Sequence, residues 1–491
     1  MHTDIYLAKL SKVYTLLPAI IIPVALIVTT NFPENDFLSL YDSQRLIATI
    51  ALLITLLSTW LTAKSSLVSL LVNFPKQTLY TLTSLFIIGI LSTLNANDIS
   101  HAALEFCIMF LLLLCTLCIS ARYKQNPELF QRIVLISFLI LAVSQTIYAF
   151  AGYFAALMNN FPLKPHDLFR NFPNVRFFND IQSWTLPLII LPLLIFPNLA
   201  KKYQTLILTI ASCWWLLLFV SGGRATMLGI IAGTLLAIAI YKKSSLAWLK
   251  LQIKACFGGF ILYGILFVII PFALYENTLN TQLIRNTTHD RIYLWNKAWE
   301  LVQGNLLIGV GPMNYACDPH NFTAAHPHNS IIQIATEWGI PAAFLFVFLF
   351  IAGIYHWVKR TTVAPPKTSD NSSKHIQVSL FAALMSGAVT SMFSGMIVMP
   401  LSQLTSIIII GWMLGIYFSQ SPTVAEPPRK YYYLIGTLAL CNTIIISAAI
   451  TNTLPLQNIS KNQNNIEIQH YLPRFWQQGK ICEYEHPPSR N

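Results

Sequence analysis

Apolar runs recur along the chain near 14–30, 44–63, 78–94, 101–119, 131–157, 183–198, 204–220, 223–240, 256–274, 338–358, 376–398, 403–419 and 431–452. Most are close to the ~20 residues an α-helix needs to cross a hydrocarbon core. With 55% hydrophobic and only 10% charged residues, and a mean hydropathy of +0.58, a soluble globular domain is excluded. In lipid each backbone polar group must be satisfied internally, so the pattern predicts an all-α, polytopic integral membrane protein with about 12–13 transmembrane helices. The apolar stretch from 204 to 240 would reach roughly 55 Å as one helix, too long for one crossing. It must turn back, and Ser221-Gly222-Gly223 is where the sequence allows it.

The first run lacks a small-residue cleavage site and comes after Lys9 and Lys12, so it reads as a retained anchor with its N-terminus inside. Alternating sides from there gathers most lysines and arginines in inner segments, as the positive-inside rule requires. The net charge of +12 therefore speaks to orientation, and nucleic acid is not an expected partner. The chain divides into helices 1–9 over residues 1–274 with a small outer loop at 159–182, a large outer loop at 275–337, helices 10–13 over 338–452, and a polar tail at 453–491 placed outside.

The 275–337 loop concentrates the groups able to do chemistry. Thr287 followed by Asp290 resembles a capping box, and Ile292, Trp295, Trp299 and Val302 recur at helical spacing, predicting an amphipathic helix over 289–303 that lies on the outer surface. Next come a glycine-punctuated turn at 304–314 and then His326 and His328 at the entrance of the next helix, with Glu337 near the membrane boundary. Imidazole titrates near neutrality, so this pair suits a general base. A structural zinc site needs about four ligands, and no such set surrounds it, so no metal and no cofactor are expected.

Outward cations break the charge rule at Lys164, Arg170 and Arg176, and SGGRATMLG at 221–229 puts Arg224 at the start of a helix on the same side. Arg291 adds another guanidinium. Such groups serve either an anionic ligand such as phosphate, through forked donors, or ordinary lipid headgroups. Glu105, about one turn into the fourth span, either faces a polar cavity or reaches back to the headgroups. Of eight cysteines only Cys317 and Cys482 fall outside the spans, on one side, where they either pair in a disulfide or remain free thiols.

These residues resemble the O-antigen ligase superfamily, which also contains O-antigen polymerases and protein O-oligosaccharyltransferases. The resemblance rests on the many spans, the arginine of SGGRA, the DRIYLWNKAW and GVGPMNY segments, and above all His328-Asn329, then nine residues, then Gly339. Ala342 stands where the ligase pattern has Gly, Thr or Tyr, a departure from the ligases more than from the superfamily. The resemblance implies a glycosyltransferase of the bacterial inner membrane, working at the periplasmic face on a glycan carried by undecaprenyl pyrophosphate. In that reading His328 is the base and Arg224 and Arg291 stabilise the departing pyrophosphate, with Arg170 or Arg176 assisting. His326, Asn329 and Glu337 orient base or acceptor. The acceptor is lipid A core for a ligase, a second lipid-linked repeat for a polymerase, or a protein hydroxyl for an oligosaccharyltransferase. The contrasting class is a lipid-linked glycan transporter.

Overall fold

The computed structural model describes residues 19–31, 37–159, 161, 165–275, 289–317, 324–363, 371–419, 427–454, 473–477, 479 and 481–482. The expected capping box at Thr287, the cation Lys164 and most of the 453–491 tail lie outside them.

Among the described residues every apolar run coincides with helix, though not always with an unbroken one. The helices are α1 (Ala19–Asn31), α2 (Leu40–Val72), α3 (Lys76–Leu94), α4 (Ile99–Gln125), α5 (Pro127–Met158), α6 (Val175–Thr185), α7 (Pro197–Ser221), α8 (Arg224–Tyr241), α9 (Leu246–Tyr263), α10 (His289–Gly304), α11 (Ser330–Trp338), α12 (Ile340–Val358), α13 (Asn371–Thr390), α14 (Pro400–Phe418) and α15 (Arg429–Thr453). Nine helices are long and apolar enough to span a membrane among the described residues. One of them, the 51-residue stretch Arg224–Leu274, doubles back at the 3₁₀ turn Lys242–Ser245 between α8 and α9. The expected turn between α7 and α8 is present, with Gly222 in the left-handed region at φ 62°.

Three expected spans take other forms. The described part of the first is the shorter helix α1, and α13 opens on the polar run NSSKH. The run at 183–198 is broken: α6 ends at Thr185, and Pro187 and Pro192 interrupt the segment between α6 and α7. Carbonyls freed there are taken by side chains of α9, Trp248 Nε1 donating to Pro187 O at 2.9 Å and Gln252 Nε2 to Leu186 O at 2.8 Å. Irregular backbone at membrane depth is tolerated where protein supplies such donors.

Burial sorts the helices. α4 and α14 are largely enclosed, whereas α3, α8, α9, α12 and α15 keep most of their apolar surface turned outward. A helix apolar on all sides belongs either inside a large core or against lipid, and both kinds occur here.

The surface helix α10 forms where expected. Leu294, Ala298 and Val302 pack inward, while Ile292 and Trp299 are exposed. The small Ala298 lets α10 approach α11, where Thr336 Oγ1 lies 3.4 Å from its carbonyl.

Candidate functional site

The interval of nine residues between Asn329 and Gly339 is the length of one helix. Asn329 is the N-cap of α11, its Oδ1 accepting from Ile331 N and Ile332 N at 3.0 Å each. At the far end Gly339 has φ 90°, and a Cβ there would overlap the Leu307 carbonyl, so the glycine turn at 305–311 can lie against the helix end. Two backbone bonds fix that contact, Val310 N to Thr336 O and Gly311 N to Glu337 O, both 2.9 Å. Asn329 thus orients the segment through its cap.

Just before the cap the chain reverses. His328 adopts φ 54°, a left-handed conformation that an L-residue occupies at a cost of roughly 1–2 kcal/mol. Its backbone N–H donates to His326 Nδ1 at 3.3 Å, and the two rings meet edge to face with centroids 4.3 Å apart. His326 is buried and His328 half-buried. Trp295 of α10 grips the residue between them, its Nε1 donating to Pro327 O at 3.0 Å.

The turn after α13, Ser391 to Gly395, is the shelf on which this segment rests. Ser391 O accepts from Ser330 N at 3.0 Å, Met392 O from Asn329 Nδ2 at 3.2 Å and Phe393 O from Arg291 Nη2 at 3.3 Å. Ser394 Oγ donates to Asp180 Oδ1 at 2.8 Å, and Gly395 lies against the His326 ring so closely that a Cβ would overlap it. Five consecutive residues each hold a different part of the site. None carries a group that announces chemistry, so sequence reasoning passed over them.

Three guanidinia converge beside the histidines. Arg176 extends from the first turn of α6, Arg224 stands at the start of α8, and Arg291, half-buried on α10, lies over the Phe393 ring at 5.7 Å. Burial lowers the Arg291 pKa, and repulsion from Arg176 and Arg224 lowers it further. Guanidinia near enough to repel one another form a positive field suited to a multiply charged anion. Arg170 is not part of it. It is exposed and pairs with its neighbour Asp167 at 3.5 Å, because the short turn at 165–168 places the two side by side.

That field acts on the imidazoles. Burial pushes the His328 pKa down to about 3, with Arg176 and Arg291 adding to the shift. Burial likewise lowers His326 well below its usual value, aided by His328, Arg474 and Arg176. Both rings are neutral at pH 7 and retain a nitrogen able to accept a proton. Asp180, a turn beyond Arg176 on α6, is a further member that the reading of 159–182 as loop missed. Burial raises its pKa to about 7, against Ser394 and Arg176, and its Oδ2 has no partner among the described residues. The Asn174 cap and the four-residue step from Arg176 are the signals that could have found it.

Glu337 is paired with a cation of the tail. It is buried and accepts from Arg474 Nη2 at 2.5 Å, and the same nitrogen donates to Glu105 Oε1 at 3.1 Å. With its amide oxygen toward the guanidinium, Gln333 accepts from Arg474 Nη1 and Nη2 at 3.2 and 2.9 Å. Burial alone would lower the Arg474 pKa, but Glu105 and Glu337 raise it, while burial raises Glu337. Glu105 thus faces a buried cation from the tail, and a disulfide joins Cys482 to Cys317 with Cα atoms 5.1 Å apart. Among the described residues no three His, Cys, Asp or Glu side chains gather as a metal-binding set.

Fold and site together define a multi-pass membrane protein with an arginine–histidine centre at one end of its helix bundle. Residues 207–347 match the family model described as O-antigen ligase. The matched segment includes Arg224, Arg291, His326, His328, Asn329 and Glu337, and excludes Arg176, Asp180 and Arg474. No curated protein matches the chain.

Proposed function

We propose that this protein transfers a glycan from undecaprenyl pyrophosphate to an acceptor hydroxyl at the periplasmic face of the bacterial inner membrane, with inversion and without a metal, acting as an O-antigen ligase on lipid A core. The observation that carries the reading is the grouping of Arg176, Arg224 and Arg291, two of which, Arg176 and Arg291, act on the half-buried His328.

The diphosphate of the donor sits among the guanidinia while its polyprenyl tail stays in lipid. The acceptor oxygen attacks the anomeric carbon as the bond from that carbon to the phosphate oxygen breaks on the opposite side. The electron pair of the broken bond leaves on the diphosphate, where the fixed cations stabilise it. His328 takes the acceptor proton in the same step. With a pKa of about 3 in the free protein, His328 is a weak base, but a bound diphosphate offsets the field of Arg176 and Arg291 and raises its basicity where the donor is in place.

O-antigen polymerase and protein O-oligosaccharyltransferase share this chemistry and differ in acceptor. A lipid-linked glycan transporter fits less well, since transporter sites lie near the bilayer midplane and these charged groups gather at one end of the bundle. The test is incubation of purified protein with a defined undecaprenyl-pyrophosphate glycan and, in parallel, lipid A core, a second lipid-linked glycan and an exported protein. Transfer to lipid A core by wild type and not by His328→Ala is the expected result, undiminished by a strong chelator. Transfer to another acceptor reassigns the branch, and transport of the donor across vesicles without transfer overturns the reading.

A further inference from the structure

The tail segment Pro473–Gln477 is inserted among the elements that carry the site, and its Arg474 is the most enclosed cation there, at 0% exposure. Arg474 Nη1 donates to Ala325 O at 3.2 Å, immediately before His326, and Nη2 reaches Glu337 at 2.5 Å, the penultimate residue of α11. One guanidinium therefore brackets the stretch 325–337 that bears both histidines and the Asn329 cap.

The segment is itself held from several sides. Arg45 of α2 donates through Nε to Phe475 O at 3.1 Å and through Nη2 to Arg474 O at 3.2 Å, and its guanidinium lies 4.9 Å from the Phe475 ring centroid. The same Arg45 Nη2 also donates to Val398 O, at the end of the turn that contains Gly395. Tyr41 O–H donates to Arg474 O at 2.5 Å, and Gln477 N–H to Asp42 Oδ1 at 2.6 Å. The Cys317–Cys482 disulfide closes the arrangement on the side of the glycine turn. His326 is thus gripped between a stretch of chain fixed by Arg474 and a shelf tied to the same tail through Arg45.

We propose that Arg474 is a positioning residue for the histidine pair: by holding Ala325 and Glu337 at once it sets the strained turn at His328, and the disulfide-anchored tail is a working part of the site. Burial of one cation against two carboxylates is costly unless all are satisfied, and such an arrangement persists where it fixes a geometry. The inference rests on the glycosyl-transfer reading only for its kinetic consequence.

Arg474→Met alone would leave Glu105 and Glu337 buried without their cation, so the test pairs two other variants. In the first, Glu105→Gln, Glu337→Gln and Arg474→Met together neutralise the cluster. In the second, Arg474→Lys keeps charge and loses the fork. Measured are the thermal midpoint in detergent, kcat and donor KM for glycan transfer, and the rate at which diethyl pyrocarbonate modifies His326, read by peptide mass. Expected for both are a thermal midpoint near wild type, donor KM within about twofold, kcat lower by about tenfold or more, and faster modification of His326. A wild-type kcat with an unreactive His326 in either folded variant overturns the proposal, as does a loss confined to KM. If the wild type itself transfers no glycan, the functional reading fails while His326 modification still decides the positioning role.

Discussion

Gly395 and His326 touch at a distance that leaves no room for a methyl group between the turn and the imidazole. The two residues are far apart in sequence and come together because Ser391–Gly395 supports the whole histidine segment. Gly395→Ala must therefore move either the shelf or the ring. Overpacking of this kind costs about 1–3 kcal/mol, and we expect a modest fall in thermal midpoint with a fall in kcat of about tenfold or more. A variant with wild-type kcat would show that His326 is free to shift without consequence.

The three converging guanidinia predict a graded response to substitution. Arg224→Lys and Arg291→Lys keep the charge but lose the forked geometry that matches phosphate oxygens, and transfer should drop by about 10-fold to 100-fold. Arg176→Ala should lower activity by more than Arg170→Ala, since Arg170 pairs with Asp167 away from the cluster. Initial rates at saturating and subsaturating donor would settle the order. Equal effects at 170 and 176 would return Arg170 to the site.

His328 predicts a difference between two acid limbs. Its pKa in the free protein is depressed from 6.5 to about 3, so the neutral form persists as pH falls well below 6. The kcat/KM profile for donor, which reports the free enzyme, should therefore stay flat on the acid side through pH 5. Once the diphosphate is bound the arginine field is offset, and the acid limb of kcat should lie at higher pH than that of kcat/KM. Coincident limbs would remove the coupling between donor binding and basicity.

Asp180 predicts a stability that declines toward neutral pH. Its folded pKa is raised from 3.8 to about 7, so the unfolded chain gives up this proton first. The contribution is full below pH 3.8, shrinks as pH rises, and is gone once pH has passed about 7. Asp180→Asn removes that titration. The stability difference between variant and wild type should change by up to ~1.4 kcal/mol per pH unit across that window and level off at higher pH. Parallel curves from pH 4 to 8 would show that the carboxyl is solvated.

Much of the fold was written in the apolar runs, because a bilayer imposes a length and a composition that a sequence displays openly. The His328-Asn329 to Gly339 interval was equally legible, and its meaning is local: a cap, a nine-residue helix and a glycine stop. What stayed hidden is long-range. Arg474 is 369 positions from Glu105 and 137 from Glu337, and apart from the Cys317 and Cys482 alternative the tail has no motif to show where it docks. The Arg474 partner of Glu337 was hidden for the same reason. The shelf at 391–395 acts mainly through backbone atoms and one missing side chain, which no residue-type pattern reports. On α10 the contact with α11 is made at the small Ala298, which the spacing of the larger apolar residues does not mark.

The docking of Arg474 also fixes a sequence of events in biogenesis. Residues 45, 105, 325 and 337 are synthesised and can be threaded into the bilayer long before their common partner exists, and α15 must be placed before the tail can fold back over them. Until then the pair of buried carboxylates has no counter-charge and the histidine turn has no clamp. Completion of the centre is therefore a late event that waits on docking of the tail.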